Sequence, residues 1–170
     1  MTRAPLNAVR RQLIALGLAS PLLLAACSDQ ESTRMPALPF TELDGQTRQL
    51  SDLQGKVTIV NFWATSCSSC VKEMPELVAT HQKFKDRGLD TLAVAMSYDP
   101  PAYVMQFAQS RQLPFRVAMD HDGKLAEGFG KVQLTPTTFV IDRSGKIVKR
   151  YVGPPDFNAL HQLLDKLLTA

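Results

Sequence analysis

The stretch NFWATSCSSC, residues 61–70, places two cysteines three positions apart directly after an apolar run. A pair spaced this way can clip a metal, staple the chain or work as a redox couple. The staple is the weakest of the three, because a disulfide across three residues removes little entropy from the unfolded chain. A single C-x-x-C is half of a zinc site, and His81, His121 and His161 stand alone without ligand spacing. Two soft thiolates still suit Cu(I), with one histidine brought in by the fold, so a Cu(I)-delivery protein stays open as the alternative. In a redox couple, Cys67 attacks a partner disulfide while half exposed, and Cys70, one helical turn further and on the same face, resolves the mixed disulfide.

That chemistry needs a scaffold, and the flanking pattern supplies one. Residues 57–63, VTIVNFW, are apolar and β-branched and too short for a helix, which suits a strand buried on both faces. A helix opening at Cys67 and running to about residue 85, with Gly88 beyond its end, puts the cysteines at the carboxyl end of a strand and the amino end of a helix. Unpaired N–H groups and the helix dipole favour a thiolate there. Residues 38–50 predict a hairpin around Asp44-Gly45, and 91–96 a second buried strand. Asp99, Pro100 and Pro101 predict the cap and first turn of a helix through Ser110. FRVAMD predicts a third strand, and 137–152 a hairpin around Gly145. Leu160, Leu163, Leu164, Leu167 and Leu168 form the apolar face of a last helix. Strands alternating with helices imply an α/β fold, mainly parallel, with antiparallel strands added by the hairpins.

The start of the chain is of another kind. Residues 1–12 carry Arg3, Arg10 and Arg11 and no acid, and an apolar run of signal-peptide length follows. It ends in LAAC, which resembles the lipobox of bacterial lipoproteins: residues 1–26 are removed and Cys27 becomes a lipidated first residue. Residues 27–36 then form a flexible tether, and 37–170 the folded domain. Arg10-Arg11 loosely resembles a twin-arginine signal, and Ser28 fits outer-membrane sorting under some bacterial rules. The chain has 19 basic and 16 acidic residues; loss of the three arginines balances them at sixteen each, so the basic excess belongs to the signal. With no basic stripe left, no nucleic-acid partner is expected. Only Cys67 and Cys70 remain as thiols, in a compartment without a cytosolic glutathione pool.

From about residue 37 to the end, the sequence resembles the thioredoxin superfamily and, within it, the TlpA/ResA-like thiol-disulfide oxidoreductases tethered outside bacterial inner membranes. The carriers, in order, are GKVTIVNFWATSCSSCVKEMPEL, TLAVAMSYD, LPFRVAMDHDGKLAEGFGKVQLTPTTFVIDRSGKIV and the terminal helix. The resemblance implies a thioredoxin-like fold, a central mixed sheet flanked by helices, with an N-terminal β-hairpin and a strand-helix insertion over about residues 91–120. It implies that Pro136 is a cis-proline facing the cysteines, that Thr135 offers backbone groups to an extended substrate strand, and that no organic cofactor is needed. The implied partners are disulfides of periplasmic proteins such as apocytochrome c or copper-site proteins, and a membrane donor of electrons.

The sequence also departs from the family. The buried aspartate of thioredoxins is replaced by Asn61, which takes no proton, so a general base must lie elsewhere. Asp99, just after the second buried strand, is a candidate proton relay, with a helix cap as its other reading. Ser66 stands where an aromatic is usual, leaving Trp63 as the indole nearest a substrate. Glu73 reads as a solvated helix residue, Pro75 as a helix-kinking proline, and the Ser68-Ser69 pair leaves the redox potential open. A peroxidase of the related peroxiredoxin fold wants threonine where Ala64 stands.

Overall fold

The computed structural model describes residues 33–169. The expected export signal, the expected lipidation site Cys27 and most of the expected tether lie outside them.

Seven strands form one sheet in the order β2-β1-β5-β4-β3-β6-β7. The central strand β3, Val57–Trp63, is buried along its whole length and pairs in parallel with β4, Leu89–Ala95. Beyond β4 lies β5, Arg116–Met119, also parallel. The hairpin β1 (Pro39–Glu42) and β2 (Thr47–Gln49) turns at Asp44-Gly45, where Gly45 takes a φ of 83°. Its first strand extends the sheet antiparallel to β5. On the other side of β3, β6 (Thr137–Ile141) and β7 (Ile147–Val152) run antiparallel around Gly145.

Alternation along β3 sorts its side chains onto two cores. Val57, Ile59 and Trp63 face α1 (Ser68–Phe84), α2 (Pro101–Ser110) and α4 (Phe157–Thr169). Val60 and Phe62 face the 3-10 turn Leu50–Leu53 and α3, Lys124–Gly128. Asn61 is in phase with the first set, on the side that α1 covers. The leucine face expected in α4 is present, with Leu160, Leu164 and Leu168 buried and Leu163 and Leu167 partly so.

Four details differ from expectation. Asp99 does not cap α2: Pro100 occupies that position with extended backbone and Pro101 opens the helix. Within the span 91–120, β4 is a central strand of the sheet, and α2 and β5 follow it. The helix α3 was not legible in the sequence; Asp120, turned inward, accepts from the amides of Leu125 and Ala126 at 2.9 Å each and so fixes its first turn. Finally, contact with the domain begins before residue 37. Arg34 bridges Lys146, the Met35 amide donates to Gly145, and the Ile147 amide donates to Thr33. Backbone pairing of this kind docks the end of the expected tether on the β6–β7 turn.

Candidate active site

The loop from β3 to α1 carries the cysteines, and they form a disulfide, with Cα atoms 5.2 Å apart. Cys67 is the N-cap residue of α1, half-buried, with an extended backbone (φ −88°, ψ 104°). Its Sγ accepts from the Cys70 amide at 3.2 Å, so one of the unpaired amides of the helix start points at the sulfur. Cys70, one turn in, is 0% exposed among Trp63, Met74 and Leu77. The two thiols therefore differ in access while sharing a bond.

Opposite them, the Thr135–Pro136 peptide is cis, and the carbonyl oxygen of Thr135 lies 3.6 Å from Cys67 Sγ. Thr135 is half-buried and Pro136 buried, and the Pro136 carbonyl accepts from the Gly153 amide. An exposed apolar rim flanks this loop. Leu134 is 65% exposed and Tyr98 is 59% exposed, with its hydroxyl 3.4 Å from Thr135 Oγ1. Neither rim residue was singled out in the sequence; both stand next to residues that were.

Trp63 does not belong to that rim. It is completely buried, its ring 5.1 Å from that of Phe107 of α2, because its place at the end of β3 turns it into the core that α2 closes. Its indole packs the floor of the site instead of meeting a substrate. Asp99 is likewise buried, and both its carboxylate oxygens are taken by one residue: Thr65 donates its amide at 2.6 Å and its hydroxyl at 2.5 Å. That clamp ties the loop before Cys67 to the loop after β4, the work of a brace and not of a proton relay.

The group that sequence reasoning missed is Glu73. It is not solvated: 5% of it is exposed, and it faces β3, where the Asn61 amide donates to Glu73 Oε1 and to Thr138 Oγ1, each at 2.9 Å. Glu73 Oε2 accepts no hydrogen bond from the described residues. Burial pushes its carboxyl up to about 7, against the pull of the Asn61 bond, so it exchanges a proton near neutrality. The signal was present in the phase of α1. Cys70, Glu73, Met74, Leu77, His81 and Phe84 lie on one stripe, so Glu73 had to be buried if Met74 and Leu77 were. Pro75, inside the same helix, leaves the Val71 carbonyl without its usual amide.

Two of the three histidines are engaged elsewhere. His81 is bonded to Thr91 Oγ1 at 3.1 Å, and His161 to Thr80 Oγ1 at 2.8 Å. Among the described residues, no cluster of three or more histidine, cysteine or acidic side chains is placed to hold a metal, and no helix is long and apolar enough to cross a membrane.

Comparison with known proteins agrees with this geometry. The Redoxin family model matches residues 30–164. The thiol-disulfide oxidoreductase ResA of Bacillus thuringiensis is 33% identical over 132 residues, 78% of this chain and 75% of that protein. The solution structure of a Neisseria meningitidis protein assigned as a thioredoxin superposes with a TM-score of 0.75 at 40% identity, over 81% of this chain and 91% of the other. The exposed lipoprotein thioredoxin Etrx1 of Streptococcus pneumoniae gives 0.68 at 29% identity, over 78% and 100%.

Proposed function

Because this chain belongs to the Redoxin family, within its thioredoxin-like, ResA-type branch of thiol-disulfide oxidoreductases, we propose that it reduces specific protein disulfides on the outer side of a bacterial membrane. In this reading a lipid on Cys27 anchors it, the substrates are apocytochrome c or copper-site proteins, and a membrane dithiol donor recharges it. The observation that carries the division of labour is the contrast between the cysteines: Cys67 is half-buried, with its Sγ accepting a helix amide, whereas Cys70 is fully buried behind it. The lipoprotein character of the Streptococcus pneumoniae thioredoxin supports the anchor.

The steps follow from that contrast. The Cys67 thiolate attacks one sulfur of a partner disulfide, forms a mixed disulfide and expels the partner's other sulfur as a thiolate. Cys70 then gives up its proton and attacks Cys67 Sγ, closing the protein's disulfide and releasing the second partner thiolate. Two electrons pass to the partner. The buried Cys70 proton needs an acceptor. Glu73 is one turn further on the same face of α1, with Oε2 unengaged and a proton affinity matched to neutral pH. Since Asn61 cannot serve, Glu73 is the general base of resolution and, in reverse, the acid that reprotonates Cys70. Thr135 and the Leu134–Tyr98 rim receive the extended partner segment beside Cys67 by adding a strand.

The direct test is the reduction potential of the couple, by equilibration in glutathione buffers with Trp63 fluorescence as readout, combined with trapping by Cys70→Ser. A reductant falls near thioredoxin, roughly −270 mV, and Cys70→Ser accumulates a Cys67-linked mixed disulfide with an apocytochrome or copper-site protein. A potential near roughly −120 mV would identify an oxidant and sink the proposed direction.

A further inference from the structure

The stripe of α1 that faces α2 takes no part in the chemistry of the cysteines. Val71, Met74, Pro75 and Val78 recur at i, i+3, i+4 and i+7, one face of a helix, and only Met74 of the four is buried. Opposite them stand Phe107 of α2 and Leu113 just beyond that helix. The Leu113 amide donates to the Ala108 carbonyl at 3.1 Å while Gln112 takes a φ of 48°, so the chain folds Leu113 back against the helix it has left. Between the two walls the described residues leave an open cleft of about 270 Å³. It lies one side chain away from the redox site: the Phe107 ring is 5.1 Å from that of Trp63, and Met74 packs in the same cluster as Cys70.

One cation borders this cleft. Arg111, a turn after Phe107 and with its guanidinium 5.7 Å from that ring, lines it and forms no ion pair with a described residue. None of the lining residues is acidic. Glu76, next to Pro75, belongs instead to the stripe that meets α4: Thr80 donates to its carbonyl and is bonded to His161. Apolar walls with one positive charge at the rim complement a molecule of the same build and opposite sign. Both walls are helical, with backbone amides already spent on their own turns, so an extended peptide laid there would find few partners for its N–H and C=O groups; an alkyl chain needs none. At roughly 30 Å³ for a group the size of a water molecule or a methylene, the cleft holds about eight or nine such groups. We propose that the α1–α2 cleft is a binding site for a free carboxylate on an apolar chain of that length, the chemistry of a medium-chain fatty acid. The chain lies between Met74, Val78 and Leu113, and the carboxylate pairs with Arg111.

Octanoate is the probe, titrated by calorimetry into the purified, oxidised protein, with Trp63 fluorescence as a second readout because its ring meets the cleft wall. Saturable binding of one octanoate is expected, with a Kd of about 1 mM or tighter, and affinity rises about fourfold per methylene from hexanoate to octanoate as each added group is buried. Arg111→Gln, at an exposed position, is expected to weaken octanoate about fivefold, the upper end for an exposed ion pair, and to leave octanol unchanged. Val78→Glu, which sets a like charge in the cleft, is expected to abolish detectable binding. Each comparison is between variants in one buffer, so uptake of octanoate elsewhere cancels. Absence of saturable binding overturns the proposal, as does an Arg111→Gln affinity within about twofold of wild type, or octanol binding as tightly as octanoate. Binding of N-acetyl-leucyl-leucyl-glutamate with none of octanoate overturns it too, because the cleft would then belong to a segment of a partner protein. Heat of binding involves no thiol exchange, so the outcome is separate from the redox role of the cysteines.

Discussion

Glu73 occupies a position that a helical carboxylate rarely takes, and its chemistry depends on the one donor it has. Protonated below about pH 7 and ionised above, it accepts the Cys70 proton best near neutrality. The rate at which the reduced protein closes its disulfide on a bound partner is therefore expected to show an inflection near pH 7. Glu73→Gln should abolish that inflection and slow closure by about 100-fold, the low end for general-base catalysis. Stopped-flow mixing with a model protein disulfide across the neutral range checks both. Asn61 acts through Glu73 as a positioning residue, because its amide bond favours the charged form. In Asn61→Ala the inflection should move upward, above pH 7, while closure survives; an unmoved inflection would mean that another group supplies it. At this scale Cys67, Cys70 and Pro136 were legible because spacing and motif name them. Glu73 was hidden because a glutamate in a helix is usually solvated, a prior that the phase of its own stripe overrode.

The elements were legible where period and punctuation agree. β3 and β4 read as buried strands, Gly88 and Gly145 mark an end and a turn, and α4 shows its leucines. What did not show was how loops from different elements meet. Asp99 looked like the cap of a following helix because two prolines come next. In the fold its carboxylate instead reaches back to Thr65, joining the β3–α1 loop to the β4–α2 loop. Each bond goes to a charged acceptor, and removing that acceptor leaves a buried edge of the loop unpaired. Asp99→Ala is expected to cost about 2–3 kcal/mol in urea unfolding, and Thr65→Val, which keeps the amide bond, about 1 kcal/mol. Because the clamp ends two residues before Cys67, Asp99→Ala should also speed reduction of the disulfide by small thiols. A stability change below about 0.5 kcal/mol would show that the clamp is ornamental.

Across the whole molecule, the buried ionisable groups pull the dependence of stability on pH in opposite directions. Asp90 in β4 is bonded to Arg116 at 2.6 Å and Lys56 at 3.2 Å. Although burial resists its ionisation, those cations hold its carboxyl below the usual range, so it stabilises the fold above pH 3.8, with the contribution lost as the pH falls further. Burial, the largest effect on both His81 and His161, lowers their proton affinity below the ordinary 6.5. The unfolded chain takes up those protons first, so acidification below 6.5 destabilises the fold through them. Glu73 has the reverse sign. Its folded value of about 7 lies above the 4.5 of an unperturbed glutamate, so the native state binds its proton more tightly. The stabilisation is complete below pH 4.5 and lost as the pH rises through 7, a fall of about 3 kcal/mol over that window. The other groups are common to wild type and Glu73→Gln, so the difference between the two isolates this one. The variant should match wild type near pH 4, gain steadily from about 4.5, and level off above 7 about 3 kcal/mol more stable, measured by urea unfolding of the oxidised proteins. A difference constant with pH would mean that water reaches Glu73 and that its burial between α1 and β3 does not hold in solution. It would also take away the proton acceptor on which the resolving step depends.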